Sequence, residues 1–308
     1  MGRTTLETLL FDESTNEAVR AALPDPAIPF FETVTHLGDG ATLLVLLATM
    51  YWFGAASSRR TRALVIGIGL LGFSVSAGLK GAIAAPRPDV TFTHAVFSPY
   101  SFPSGHALGS ATVYGAIAVY AELWTKRVRY LLAGTIIVLV SLSRVVIGAH
   151  FLGDVLAGMI LGIAIVALVY YADPDPGYTF VLAGAIAVLS FAFGSTHYTT
   201  LTTGAAIGAA LAWTYARDRS TTPRGASLLV LGAVVVPILV AVRLITVDWN
   251  PHWIGDVVGY AAVVGFAVLL PEIAATLDDR PVVERLQETL PFAGRTVDPG
   301  QVPPRERE

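Results

Sequence analysis

The chain has 308 residues, of which 54% are hydrophobic and only 14% charged. A soluble domain carries about 25% charged residues, so this composition excludes an ordinary soluble globule and points to an integral membrane protein. The net charge of −3 argues against a nucleic-acid partner, and the lack of cysteine excludes disulfides, thiolate nucleophiles and thiolate metal sites.

Residues 1–35 mix polar and apolar character. Leu6, Leu9, Leu10 and Phe11 are placed to lie on a bilayer surface. Ser14 with Glu17 makes a weak capping box for a second short helix, which Pro24, Pro26 and Pro29 break. One or two interfacial helices are expected here; a flexible tail fits as well. No basic stretch followed by an apolar run marks a cleaved signal peptide, so the first membrane helix is expected to serve as the insertion signal.

A spanning helix needs about 20 largely apolar residues. Nine stretches qualify as candidates: 37–56, 63–84, 104–124, 130–147, 151–171, 178–194, 199–215, 226–246 and 253–274. Three basic clusters fall in the connections: Arg59, Arg60 and Arg62; Lys126, Arg127 and Arg129; Arg217, Arg219 and Arg224. Nine helices put all three on one face, which the positive-inside rule makes cytoplasmic. The N-terminus is then expected outside and the C-terminus inside. Residues 275–308 are charged and Pro-rich and read as a solvated cytoplasmic tail, with one short helix near residues 282–290.

The opposite, external face collects three polar stretches. In the first, Lys80 and Arg87 are seven apart, and Pro86 and Pro88 bend the chain around Arg87. In the second, Ser104 is placed as the N-cap of a helix, Gly105 lets a ligand approach the backbone, and His106 projects from the first turn beside an anion-binding helix end. In the third, Arg144, His150 and Asp154 interrupt an apolar run, where ionisable residues are functional candidates by default. His150 and Asp154 are four apart, so on a helix they would share one face and hydrogen-bond.

Taken singly, each stretch also reads as a snorkelling cation, an ordinary helix cap or a buried helix end. Together they supply three cations, a helix N-terminus and two histidines, one with a carboxylate partner. Phosphoryl transfer needs these groups: cations and amides to neutralise the equatorial oxygens, a nucleophile in line, and a proton donor opposite. No carboxylate cluster accompanies them to hold magnesium, so neither metal nor cofactor is expected. The residues alone do not choose which histidine attacks.

These stretches resemble the signature of the type 2 phosphatidic acid phosphatase (PAP2) superfamily, which also includes vanadium haloperoxidases. Lys80, Arg87 and Pro88 match its first motif; Pro103, Ser104, Gly105 and His106 its second; Ser143, Arg144, His150 and Asp154 its third. The resemblance implies an all-α polytopic membrane bundle with a six-helix catalytic core; the apolar stretches add further C-terminal membrane helices, about nine in total. It implies that His150 is the nucleophile, that Asp154 orients it, and that His106 protonates the leaving group and later activates water. Lys80, Arg87, Ser104, Gly105 and Arg144 would bind the phosphate. The implied substrate is an amphiphilic lipid phosphate or isoprenyl mono- or diphosphate drawn from the bilayer. Two rivals are a non-catalytic lipid-transport or scaffold protein and a vanadate-dependent haloperoxidase.

The organisation read from the sequence is an N-terminal interfacial segment (1–35), a catalytic core (36–172), an additional four-helix region (173–274) and a tail (275–308). The additional region echoes the core. Residues 193–197 stand against 102–106, and His252 and Asp256 repeat the spacing of His150 and Asp154, with Arg243 ahead of them as Arg144 is but with eight intervening residues instead of five. No Lys or Arg corresponds to Lys80 and Arg87. A degenerate, inactive second copy is therefore one reading of His197, His252 and Asp256; chance recurrence of small residues is the other.

Overall fold

The computed structural model describes residues 4–54, 58–89, 99–194, 196–219, 223–244 and 252–289. The Arg243 side chain and the tail beyond residue 289 lie outside the described residues. All described regular elements are helices: α1 (Thr5–Phe11), α2 (Glu13–Ala21), α3 (Ala27–Val34), a 3-10 turn (Thr35–Gly38), α4 (Gly40–Phe53), α5 (Arg59–Ile83), α6 (Gly105–Tyr120), α7 (Lys126–Val146), α8 (Leu152–Ala172), α9 (Pro176–Ser190), a second 3-10 turn (Phe191–Phe193), α10 (His197–Ala216), α11 (Gly225–Leu244), α12 (Trp253–Ala275) and α13 (Pro281–Thr289).

A helix stands at each of the nine sites expected to span. By length and composition, five are able to cross a membrane: α5, α7, α8, α12 and α9 with its 3-10 extension. They become six if residues Ala27–Gly38 and Gly40–Phe53, bent by 52°, form one broken span. Two of the others, α6 and α10, fall short for visible reasons. The 16 residues of α6 rise only about 24 Å. The first seven residues of α10 include Thr199, Thr200, Thr202 and Thr203. For α11 the stretch described with its side chains, Gly225–Pro237, is apolar, and most side chains beyond it lie outside the described residues.

The centre of the bundle is α6, which packs on α4, α5, α7 and α8, while α10 packs on α5, α9 and α12. One apolar core runs through both halves, from Leu43 and Leu64 through Ile68 and Val113 to Phe180 and Trp213. Small residues set how closely helices approach, as lipid-embedded packing requires. A Cβ on Gly158 of α8 would lie 2.7 Å from the Ser104 carbonyl, and one on Gly162 would lie 2.8 Å from the Leu108 carbonyl. Gly204 and Gly208 of α10 lie against the Val257 and Ala261 carbonyls of α12 in the same way.

Arg59 bonds Glu272 and the carbonyls of Ala216 and Arg219, and Arg60 bonds the side chain and carbonyl of Asp173. These contacts gather the ends of α5, α8, α10 and α12 at one end of the bundle. The three polar stretches lie at the other.

The N-terminal residues are helical, with caps that differ from the sequence reading. Thr4 and Glu7 form the capping box, on α1. Asp12 caps α2, and Ser14 instead donates its hydroxyl to Asp12 at 2.6 Å. An ionised carboxylate is the stronger acceptor for the exposed amides of a helix start, so it takes the cap from the serine.

Candidate active site

Lys80 lies in the last turn of α5, which stops at Ala84 in a left-handed cap with φ 48°. Its Nζ donates to the carbonyls of Tyr100 and Ser101 at 2.9 and 3.0 Å, tying α5 to the segment that enters α6. Arg87 follows in extended chain between its two prolines. Its Nη1 donates to the Ala149 carbonyl at 2.6 Å and to His150 Nε2 at 3.2 Å.

Ser104 is the N-cap of α6, accepting from the Ala107 amide, and its own amide donates to the Asp154 carbonyl at 3.0 Å. The second and third stretches are therefore joined through backbone. Gly105 lies against the end of α5: a Cβ there would sit 3.3 Å from Ser76 Oγ and 3.8 Å from Lys80 Cε. Arg144, only 2% exposed, ends α7 and donates from Nη1 to Thr35 Oγ1 at 2.8 Å.

His150 is not on the helix that carries Asp154, contrary to the four-residue spacing argument. α7 is stopped at Gly148, whose φ of 70° suits glycine. The amides of Ala149 and His150 both return to the Arg144 carbonyl, and α8 begins only at Leu152. Asp154 therefore meets His150 from the first turn of the next helix. It accepts the Phe151 amide at 3.0 Å, which caps that helix.

The direct approach of His150 Nδ1 to Asp154 Oδ2 is 3.5 Å, too long for a good hydrogen bond. Ser101 fills the gap: its hydroxyl lies 3.1 Å from His150 Nδ1 and bonds Asp154 Oδ2. Burial, and then the charges of Lys80 and Arg87, push the His150 imidazolium well below its usual pKa. Burial likewise lowers the Arg87 guanidinium.

The site brings together all eight residues expected from the sequence and adds five that sequence reasoning missed. Ser101 bridges His150 and Asp154. Asp39, at the break before α4, accepts from His106 Nε2 at 2.8 Å. Thr35 holds Arg144. Asn16 of α2, 1% exposed, donates its side-chain amide to the carbonyls of Val145 and His150 at 3.1 and 2.9 Å, fixing both sides of the turn that presents His150. Arg20 adds a bond to the Val146 carbonyl at 3.1 Å. Asp39 carried a legible signal, since it too is a charge at the edge of an apolar run. Nothing in the sequence marked Asn16.

The echo in the second half lacks this geometry. His252 is exposed and caps its own helix, accepting from the Ile254 amide. His197 bonds Tyr260 Oη at 3.2 Å. Among the described residues no ion pair joins His252 to Asp256 or introduces a cation beside them.

Comparison with known proteins agrees with the chemistry of the first half. Residues 60–178, which hold all three polar stretches, match the family described as the PAP2 superfamily. Phosphatidylglycerophosphatase B of Bacillus subtilis is 37% identical over 147 residues, 44% of this chain and 70% of that protein. Lipid A 1-phosphatase of Rhizobium etli is 30% identical over 182 residues, 51% of this chain and 75% of that protein. The crystal structure of a transmembrane PAP2 type phosphatidylglycerolphosphate phosphatase from Bacillus subtilis aligns over 53% of this chain and 84% of that one, with 31% identity and a TM-score of 0.48. With relatives this similar matched over more than two thirds of their own lengths, and with Lys80, Arg87, His106, Arg144 and His150 converging at one end of the bundle, the chain belongs to the PAP2 superfamily.

Proposed function

We propose that this multi-pass membrane protein hydrolyses the phosphate of a membrane lipid, or an isoprenyl mono- or diphosphate, through a phosphohistidine on His150. The observation that carries the reading is the 3.2 Å contact of Arg87 Nη1 with His150 Nε2. Arginine has donors only, so Nε2 must offer a lone pair. That is the form a nucleophile needs.

In the proposed reaction, substrate phosphate takes over the donors of Lys80, Arg87, Arg144 and the start of α6, with Ser104 and Gly105 shaping the approach. The Nε2 lone pair attacks phosphorus in line, and the bond from phosphorus to the lipid oxygen breaks. His106, as imidazolium, gives the leaving alkoxide its proton. Neutral His106 then takes a proton from water, the water oxygen attacks the phosphohistidine, and inorganic phosphate leaves as the bond to Nε2 breaks. Charge on the equatorial oxygens is met by fixed cations and amides. The names of the relatives, phosphatidylglycerophosphatase and lipid A 1-phosphatase, support a lipid phosphate as substrate.

Residues 36–172 form the catalytic unit in this reading, and residues 173–274 an accessory half that is an inactive echo of it. Residues 1–35 brace the site from the membrane surface, and residues 275–308 form the tail. The site opens on the extracytoplasmic face, with the basic end of the bundle and the C-terminus in the cytoplasm. Because the chain lacks cysteine, single cysteines test this orientation: Phe193→Cys should react with a membrane-impermeant maleimide in intact cells, and Glu122→Cys should not. The reverse pattern would invert the topology.

The deciding experiment is a panel of lipid phosphates and isoprenyl phosphates given to purified protein in a chelator and scored by released phosphate. His150→Ala and Arg144→Ala should abolish release while the protein stays folded. The wild type should form an acid-labile phosphoenzyme that His150→Ala lacks. Near wild-type turnover by His150→Ala would end the mechanism.

A further inference from the structure

The second histidine of the site also has a carboxylate, from a residue outside the three polar stretches. His106 is the second residue of α6, and its Nε2 lies 2.8 Å from Asp39 Oδ1. The other oxygen of Asp39 accepts from His36 Nδ1 at 2.7 Å.

Two further observations show that this contact is built rather than incidental. Asp39 occupies the N-cap position of α4, where an aspartate ordinarily accepts from its own helix. It makes no such bond; the side chain turns to His106 instead. The segment bearing it is also fastened to the site at three successive points. Thr35 Oγ1 accepts from Arg144, the Leu37 carbonyl accepts from Tyr114 Oη of α6 at 2.9 Å, and Asp39 accepts from His106. Gly38 completes the fit, since a Cβ there would come within 3.1 Å of His106 Cδ2 and 2.5 Å of Val140 Cγ1.

From this geometry we infer that Asp39 is the positioning residue of the proton-transfer step, holding His106 through Nε2 so that Nδ1 faces the leaving oxygen. The inference rests on the proposed phosphatase reading. The proton balance is simple. Imidazolium His106 keeps its Nε2 proton on Asp39 throughout. Its Nδ1 proton goes to the alkoxide as the bond between phosphorus and oxygen breaks, and Nδ1 then takes one back from the attacking water. The carboxylate fixes which nitrogen reacts and stabilises the charged form before transfer. Burial opposes that charge, as do the cations Arg144 and Lys80, and the carboxylate works against them. The site then has two histidine–carboxylate pairs: His150 with Asp154 through Ser101 for attack, and His106 with Asp39 for departure.

The test uses leaving-group dependence, which a merely structural role would not produce. Full-length wild type, Asp39→Asn, Asp39→Ala, Asp39→Glu, His106→Ala and the Asp39→Ala/His106→Ala double variant are purified. Each is assayed with phosphatidic acid, whose alkoxide needs a proton, and with p-nitrophenyl phosphate, whose phenolate does not. General acid catalysis is worth roughly 10²–10⁴ in rate. Loss of Asp39 should therefore lower kcat on phosphatidic acid at least about tenfold more than on the nitrophenyl ester, with KM little changed. Asp39→Glu should recover part of the loss, and the double variant should be no slower than His106→Ala alone. Equal losses on both substrates, or losses that add in the double variant, would overturn the inference. Near-isosteric Asp39→Asn, checked by thermal melting, guards against misfolding. If the wild type releases phosphate from neither substrate and from no member of the lipid panel, the phosphatase reading itself fails, and the inference with it.

Discussion

Arg87 donates a hydrogen bond to Nε2 of His150. Because a guanidinium cannot accept, the proton of a neutral His150 must lie on Nδ1. Nδ1 then donates to Ser101 Oγ, and Ser101 donates to Asp154. The tautomer is fixed from both ends by three side chains, and in the resting site Arg87 covers the lone pair that phosphate would uncover.

Ser101→Ala should therefore lower kcat without unfolding the protein. The methyl group leaves His150 and Asp154 at their 3.5 Å separation with no bridge. A hydrogen bond to a charged group is worth about 1.5–3 kcal/mol, which corresponds to about ten- to a hundredfold in rate if it is felt fully in the transition state. KM should change far less, because Ser101 is not among the phosphate donors. Steady-state kinetics on a lipid phosphate check this, and an unchanged kcat would mean that Asp154 orients His150 directly.

Asn16 offers a prediction about the N-terminal helices. Asn16→Ala would leave the Val145 and His150 carbonyls without their donor in a buried place, at a cost of about 1–3 kcal/mol. Asn16→Asp should be worse, since a carboxylate would face two carbonyl oxygens. Both variants should melt earlier in detergent and lose activity in proportion, in the order Asn, Ala, Asp. Melting and turnover equal to wild type in both would show that α2 is a passive neighbour of the turn.

The pH dependence of stability follows from His150, which lies between the spans. Its folded pKa is depressed well below the ordinary value, first by burial and then by the cations. An unfolded histidine takes up a proton as pH falls through about 6.5; the folded one does not. The unfolded state therefore binds more protons in that range, and stability is lost as pH falls below about 6.5 and is flat above it. Melting temperatures from pH 8 to pH 5 should fall on the acid side in wild type. The fall should be smaller in His150→Gln, which does not titrate; an equal fall in both would assign it to other groups.

Much of this site was legible because charge is costly in an apolar run. That single argument picked out Arg144, His150 and Asp154, and the spacing of the basic clusters then put Lys80, Arg87 and His106 beside them. Applied evenly, it would also have reached Asp39. Ser101 and Asn16 were beyond it. Serine and asparagine are common at interfaces, and their roles depend on how segments more than 45 residues apart meet. The helical relation of His150 to Asp154 was misjudged for a local reason. The spacing argument assumes one helix from residue 150 to 154, and α8 begins only at Leu152, two residues after the histidine. The count of spanning helices was least legible, because α6 and α10 are buried by neighbours rather than by lipid and need be neither long nor uniformly apolar.

The last prediction concerns the contact that brings the two histidines together. His106 rides on α6, Asp154 on α8, and the helices close on each other over Gly158 and Gly162. A methyl on Gly162 would press on the Leu108 carbonyl at 2.8 Å and on the Ala111 side chain at 2.5 Å. Both belong to the α6 wall, which has no flexible end to move aside. Gly162→Ala should therefore cost about 1–3 kcal/mol of overpacking and lower activity by displacing His106 from the His150 turn. Gly134 of α7 is the control, since a Cβ there meets nothing within 4 Å. Its helix gains up to about 1 kcal/mol in propensity from alanine, so Gly134→Ala should melt at or slightly above the wild-type temperature with full turnover. If both variants behaved alike, the close crossing of α6 and α8 would not be what sets the geometry of the site.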